Sequence, residues 1–162
     1  MDILELLREA ASNCPAEDFL AQRGTLLEMS YAANDAVVTP RKPGRLSYPL
    51  RLAIAARISG QCKVDTLRQI YLERLAGLPE ADEWSAVADT SAQPPMDTFT
   101  AAIVAYSDLV TLHPAKATRK DIVILQKSGL EDADIVQLAE LVACINYLTR
   151  LVPGLRALET AS

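Results

Sequence analysis

Histidine occurs once in this chain of 162 residues, at position 113, tryptophan once and phenylalanine twice. A lone imidazole excludes a His-rich metal site. Aromatic residues at only 5% suit packed helices better than sheets. Basic charge is in deficit, with 16 Lys and Arg against 21 Asp and Glu, a net −5 and a pI near 4.9. A nucleic-acid binder shows the opposite balance, so no nucleic-acid partner is expected. The three cysteines, Cys14, Cys62 and Cys144, have no paired spacing, which excludes a disulfide framework and a zinc site. A Gly-rich phosphate loop, a Ser-centred nucleophile elbow and a paired-carboxylate arrangement are missing too, and no cofactor is implied. The opening MDILELLREAA carries acids where a signal peptide needs positive charge. No apolar run approaches the ~18 residues of a membrane span, so the expectation is a cytoplasmic protein without membrane contact.

What the chain does have is apolar surface, with half its residues hydrophobic. A chain of this length fits one domain and buries roughly two-thirds of its unfolded surface. The expected fold is all-α, a single compact helical domain of about eight helices spanning residues 1–162. Within it, residues 1–45 form N-terminal helices and a connection. Charge is unevenly placed: Arg41, Lys42, Arg45, Arg51, Arg57, Lys63, Arg68 and Arg74 face only Asp65 and Glu73 in residues 41–74. This segment either attracts a small anion, or forms a solvated face or pairs with an acidic patch of a neighbouring subunit.

Apolar spacing predicts a helix over residues 3–11 and a second over 16–37, bent at Gly24, with Leu20, Leu26, Leu27 and Tyr31 inward. The stretch TPRKPGRLS breaks the pattern as a connection. Helices over 48–58 and 64–75 follow, separated by Ser59-Gly60-Gln61. A short helix surrounds Trp84, a loop occupies 86–95, and Asp97 starts a helix to Leu112. Thr118 with Asp121 three residues on marks another start, with Ile122, Ile124 and Leu125 on one face. In the last helix Ile135, Leu138, Leu141, Val142, Ile145, Leu148 and Val152 recur at three- and four-residue steps until Pro153-Gly154 stops it.

The stretch TRKDIVILQKSG, then a long apolar helix closing with INYLTRLVPGL, resembles the end of the peroxidase-related branch of the alkylhydroperoxidase D and carboxymuconolactone decarboxylase superfamily. There the last helix carries Phe-Asn-Tyr-x-Asn-Arg-x-x-x-Gly-Leu. Asn146, Tyr147, Arg150, Gly154 and Leu155 match it and Thr149 departs. The resemblance runs over residues 46–155 and implies a helical domain that is commonly oligomeric.

It also implies a site. Active members carry Cys-x-x-Cys-x-x-x-His with a Glu roughly a dozen residues upstream. One thiolate attacks a peroxide, the other resolves the sulfenic acid, and Glu and His move protons. With Cys62 as the first cysteine, the second position holds Asp65 and the histidine position Gln69. With Cys62 as the second, those positions hold Ser59 and Thr66. No glutamate lies between Glu28 and Glu73. A two-cysteine cycle is therefore excluded within this helix.

Cys62 remains the candidate catalytic residue, expected near a helix N-terminus with Lys63 and Arg68 close by; the alternative is a small buried hydrophobe. Cys144 reads as core, Cys14 as a helix-end residue, and His113 as a helix C-terminal residue. Asn146, Tyr147 and Arg150 are candidate substrate-binding residues, or else structural or subunit contacts.

Two functional classes follow. One is a degenerate helical homo-oligomer or partner subunit. The other is a one-cysteine hydroperoxidase that needs an external thiol reductant. Decarboxylation of a small anionic lactone acid is a third, weaker reading.

Overall fold

The computed structural model describes residues 1–12, 25–79, 81–91 and 95–160, so Cys14, Leu20 and Gly24 lie outside the described residues. Eight α-helices and no strand occur among them. They are α1 (Ile3–Ala11), α2 (Thr25–Val38), α3 (Tyr48–Gln61), α4 (Asp65–Ala76), α5 (Ala81–Ala88), α6 (Thr98–Leu112), α7 (Arg119–Lys127) and α8 (Asp132–Thr160), with a 3-10 turn at Pro114–Lys116.

Helix α3 is the axis of the molecule. Ser47 accepts from the Leu50 amide at its start, and every side chain from Pro49 to Ser59 is buried. An Ala-rich, all-round apolar sequence is what such a central helix needs. It touches α2, α4, α5, α6 and α8. The paired helix α4 packs on α3 and α5, so of this pair it is α3 that packs on α8.

Helix α8 buries Leu138, Leu141, Val142, Ile145, Leu148 and Val152 to 1% exposure or less. Each such side chain contributes about 1.5–3 kcal/mol. Two expectations fail here. The helix runs through Pro153 to Thr160. Loss of one backbone donor at Pro153 is offset beyond it by buried Leu155 and by Arg156 against Glu9 at 3.6 Å. Residues 132–158 also form a helix long and apolar enough, by composition, to cross a membrane. Its leucines, isoleucines and valines raise the hydropathy between scattered polar residues, and its inward face packs on α1, α2, α3 and α6 as a core helix does.

Helix α2 meets the expected inward face only in part: Leu26 and Leu27 are half-buried, with Leu27 packed against the core. Tyr31 is exposed, and Ser30, Asn34 and Val38 are buried at four-residue steps. Ser30 meets the Tyr147 hydroxyl at 3.0 Å, and Tyr71 donates to Asn34 Oδ1 at 2.6 Å. Polar partners on α8 and α4, invisible to hydrophobic periodicity, select this face. Ile124 on α7 is likewise outward, at 55% exposure, while Leu125 is fully buried.

The connection between α2 and α3 is held from within by Arg51, which is 1% exposed. Its guanidinium donates to the carbonyls of Leu46 at 2.8 Å, Val37 at 2.8 Å and Pro43 at 2.9 Å, and to Gln137 Oε1. Burial lowers its pKa, against the opposing pull of Tyr48, Asp134 and Glu140.

Candidate functional site

Helix α3 includes Ser59, Gly60 and Gln61, which the sequence pattern places in a break. The chain turns three residues later. The Lys63 amide donates to Gly60 and the Val64 amide to Ser59, at 3.0 and 2.9 Å, around Lys63 at φ 59°. This is a Schellman stop with lysine where glycine is usual. Cys62 is the half-buried C-cap, its amide bonded to the Ile58 carbonyl at 3.0 Å. Cys62 lies near a helix N-terminus as expected, two residues before Val64, the N-cap of α4, but it also sits at the carbonyl end of α3, which the sequence pattern did not place there.

The other positions of the two-thiol pattern are occupied as follows. Ser59 is fully buried and donates back to Ala55 at 2.8 Å. Asp65 is exposed, and Gln69 bonds Glu73 at 3.0 Å on the surface. Thr66 Oγ1 is buried without a partner. His113 caps α6 through its backbone amide, 2.8 Å from the Leu109 carbonyl, with its side chain exposed. A groove of about 470 Å³ beside the turn is walled by Lys63, Asp65, Thr66, Val152, Pro153 and Arg156 among others.

Beneath the turn lies a polar cluster that sequence reasoning missed. Arg57 Nε and Nη2 grip the two carboxylate oxygens of Asp108, each at 2.7 Å. Its Nη1 donates to the carbonyls of Asp89 at 2.8 Å and Val87 at 3.3 Å, tying the segment after α5 to α3. Gln61 Nε2 adds a third bond to Asp108 at 2.6 Å. Gly60 faces Arg68, where an added Cβ would lie 3.1 Å from Cδ and 3.3 Å from Nε. Gln61 Oε1 and Arg68 Nε are buried without partners. The signal was present: Asp108 is the one charged residue within α6, and Arg57 interrupts the apolar run of α3. Chemically, this carboxylate serves as the counter-charge of Arg57: Oδ1 accepts from Arg57 and Gln61, and Oδ2 accepts from Arg57 alone.

Asn146, Tyr147 and Arg150 do not gather around Cys62. Asn146 Nδ2 donates to Thr111 Oγ1 on α6 and to the Val142 carbonyl, both at 3.0 Å. Arg150 Nη1 binds the Asn146 carbonyl at 2.6 Å and its Oδ1 at 3.2 Å. Tyr147 joins α8 to α2 through Ser30. Thr149, where the pattern has Asn, is buried and donates to the Asn146 carbonyl at 2.9 Å.

The basic segment is also corrected. Arg51 and Arg57 are internal, and Arg45 donates to the Gly129 carbonyl at 2.9 Å with its head 5.1 Å from the Phe99 ring centre. Arg51 and Arg57 thus belong neither to a solvated face nor to a free anion trap, while Arg45 remains exposed. Cys144, expected in the core, is only half-buried, and burial raises its thiol to about 11.

No family model matches the chain, and no curated protein matches it. Three solved chains do match. One is an uncharacterized peroxidase-related protein from Silicibacter sp. TM1040, 18% identical, with a TM-score of 0.68 over 79% of this chain. The match spans 66% of that protein's length, just under two-thirds. At this identity the likeness is one of fold, and the chain has the helical fold of a peroxidase-related protein.

Proposed function

We propose that the chain is a degenerate relative of the alkylhydroperoxidase D and carboxymuconolactone decarboxylase superfamily. It keeps the helical domain, self-associates and acts as a non-catalytic partner subunit. The observation that carries this is the occupancy of the turn: Ser59, Asp65, Thr66 and Gln69 stand where a second thiol and an imidazole are needed, and the neighbouring Asp108 is paired with Arg57. Self-association has exposed apolar side chains available to it on α2, α7 and α8, among them Met29 at 66%, Ile124 at 55% and Val136 at 56% exposure.

The test is to expose the reduced protein to a near-stoichiometric organic hydroperoxide, trap sulfenic acid, and read all three cysteines by peptide mass spectrometry. Slow oxidation without preference for Cys62 is expected. Fast, selective oxidation at Cys62 would instead establish the one-cysteine hydroperoxidase: the thiolate takes one peroxide oxygen, an alcohol leaves, and an external thiol reduces the sulfenic acid. The half-buried, unpaired state of Cys62 is what favours that second reading. The lactone decarboxylase reading has the basic segment as its support, weakened by the internal engagement of Arg51 and Arg57.

A further inference from the structure

Two stripes on the surface are matched in chemistry and in length. On α7, Lys120, Ile124 and Lys127 follow one another at four- and three-residue steps, all exposed. Ile124 and Lys127 line a groove between α6 and α7 whose walls also include Met96, Ala101, Ala102, Ala105 and Leu109, and Lys120 lies one turn before Ile124 on the same stripe. The small side chains of α6 give the groove its depth. Neither lysine has an ion-pair partner among the described residues. The one carboxylate in the wall, Asp121, is committed to the Thr118 amide and hydroxyl at 2.7 and 2.9 Å.

On α8, Asp132, Val136 and Glu140 follow at two four-residue steps, again all exposed. Val136 is 56% exposed, against 55% for Ile124. Glu140 also lacks an ion-pair partner among the described residues, and Asp132 accepts one bond from Gln126 at 2.9 Å. At 1.5 Å per residue the lysines are about 10.5 Å apart along α7 and the acids about 12 Å apart along α8. Each stripe therefore has one apolar residue between two like charges, at nearly the same spacing and with opposite sign.

We propose that the α6–α7 groove receives the Asp132–Val136–Glu140 ridge of a second copy of this chain. Val136 enters beside Ile124, and the acids reach Lys120 and Lys127. Every copy carries both stripes, and in the proposed arrangement a twofold axis makes the contact twice and closes the pair. The proposal rests on the self-association reading and names its surface.

Charge reversal in complementary halves tests it. The variants Lys120→Glu/Lys127→Glu and Asp132→Lys/Glu140→Lys are measured separately and mixed, by sedimentation and light scattering of the full chain, with circular dichroism to establish folding. If a double variant unfolds, the exposed single changes Lys127→Glu and Glu140→Lys replace it. Each variant alone should dissociate at least tenfold more readily than wild type, and an equimolar mixture should re-form pairs, because both contacts are attractive only in the mixed pair. Wild-type-like association of either variant, or a mixture that stays apart, overturns this surface and leaves self-association standing. A wild-type mass of one chain at every concentration overturns both.

Discussion

Arg57 and Asp108 form a forked ion pair from α3 to α6, two parallel bonds of 2.7 Å with the arginine side chain 8% and the aspartate 26% exposed. Removing one partner strands the other's charge in a site with little water. Asp108→Ala should cost about 3 kcal/mol, and Arg57→Met/Asp108→Leu should recover part of it, because neither charge remains while the Val87 and Asp89 carbonyls and Gln61 lose a partner. Urea denaturation of the three proteins decides this; equal stability of the single and double variants would sink the argument.

Lys63 holds the left-handed position of the turn after Cys62, at φ 59°. A side chain there costs about 1–2 kcal/mol in backbone sterics. Lys63→Gly should raise stability by about 1 kcal/mol, and Lys63→Val should lower it. The exposed side chain makes the pair of melting curves a clean readout.

Asp97 and Asp121 cap α6 and α7. Backbone hydrogen bonds from Thr100 and Thr118, followed by the side-chain bonds of the same residues, hold both carboxyls below the ordinary aspartate range. A lowered folded pKa means the stabilisation is complete above the unfolded value near ~3.9 and fades as pH falls through the lowered values. Melting temperatures between about pH 6 and pH 2 should therefore drop in the acid range. Asp97→Asn, which keeps a cap without titrating, should flatten part of that drop. A wild-type curve with no acid slope would contradict the assignment.

Burial raises the Cys144 thiol to about 11. At pH 8 its thiolate is roughly a hundredfold scarcer than that of an ordinary cysteine. Iodoacetamide should label Cys144 correspondingly slowly in the folded chain and at a normal rate in urea. The sign for stability runs opposite to the aspartates: above about pH 8.5 the unfolded thiol ionises, the folded one stays protonated, and stability falls as pH rises. Comparable labelling in both states would rule out the shielded thiol.

Helix identity was legible wherever local chemistry decided it. Asp97, Thr118 and the apolar steps of α8 place three helices, and the capping box of Thr118 and Asp121 is present as read. What the sequence hid was set by partners distant along the chain. The inward face of α2 depends on Tyr71 and Tyr147, 37 and 117 residues from Asn34 and Ser30. The stop of α3 moved past Gly60 because carbonyls of Ser59 and Gly60 accept from residues beyond Cys62. At the candidate site the turn that carries Cys62 was visible in the sequence, but Arg57 and Asp108 are 51 residues apart and meet only when α6 lies on α3.

The four acceptors around Arg51 also govern where this protein tolerates editing. Arg41 and Lys42 are exposed, so extra residues between them can bulge into water. Between Pro43 and Leu46 the connection has no such slack. Both carbonyls are tied to one guanidinium, and Gly44, at φ 61°, passes so close to Asp134 that an added Cβ would lie 2.6 Å from its Oδ1. A tag, an epitope or a new chain terminus belongs before Pro43, and a residue inserted after it would unseat the entrance to α3.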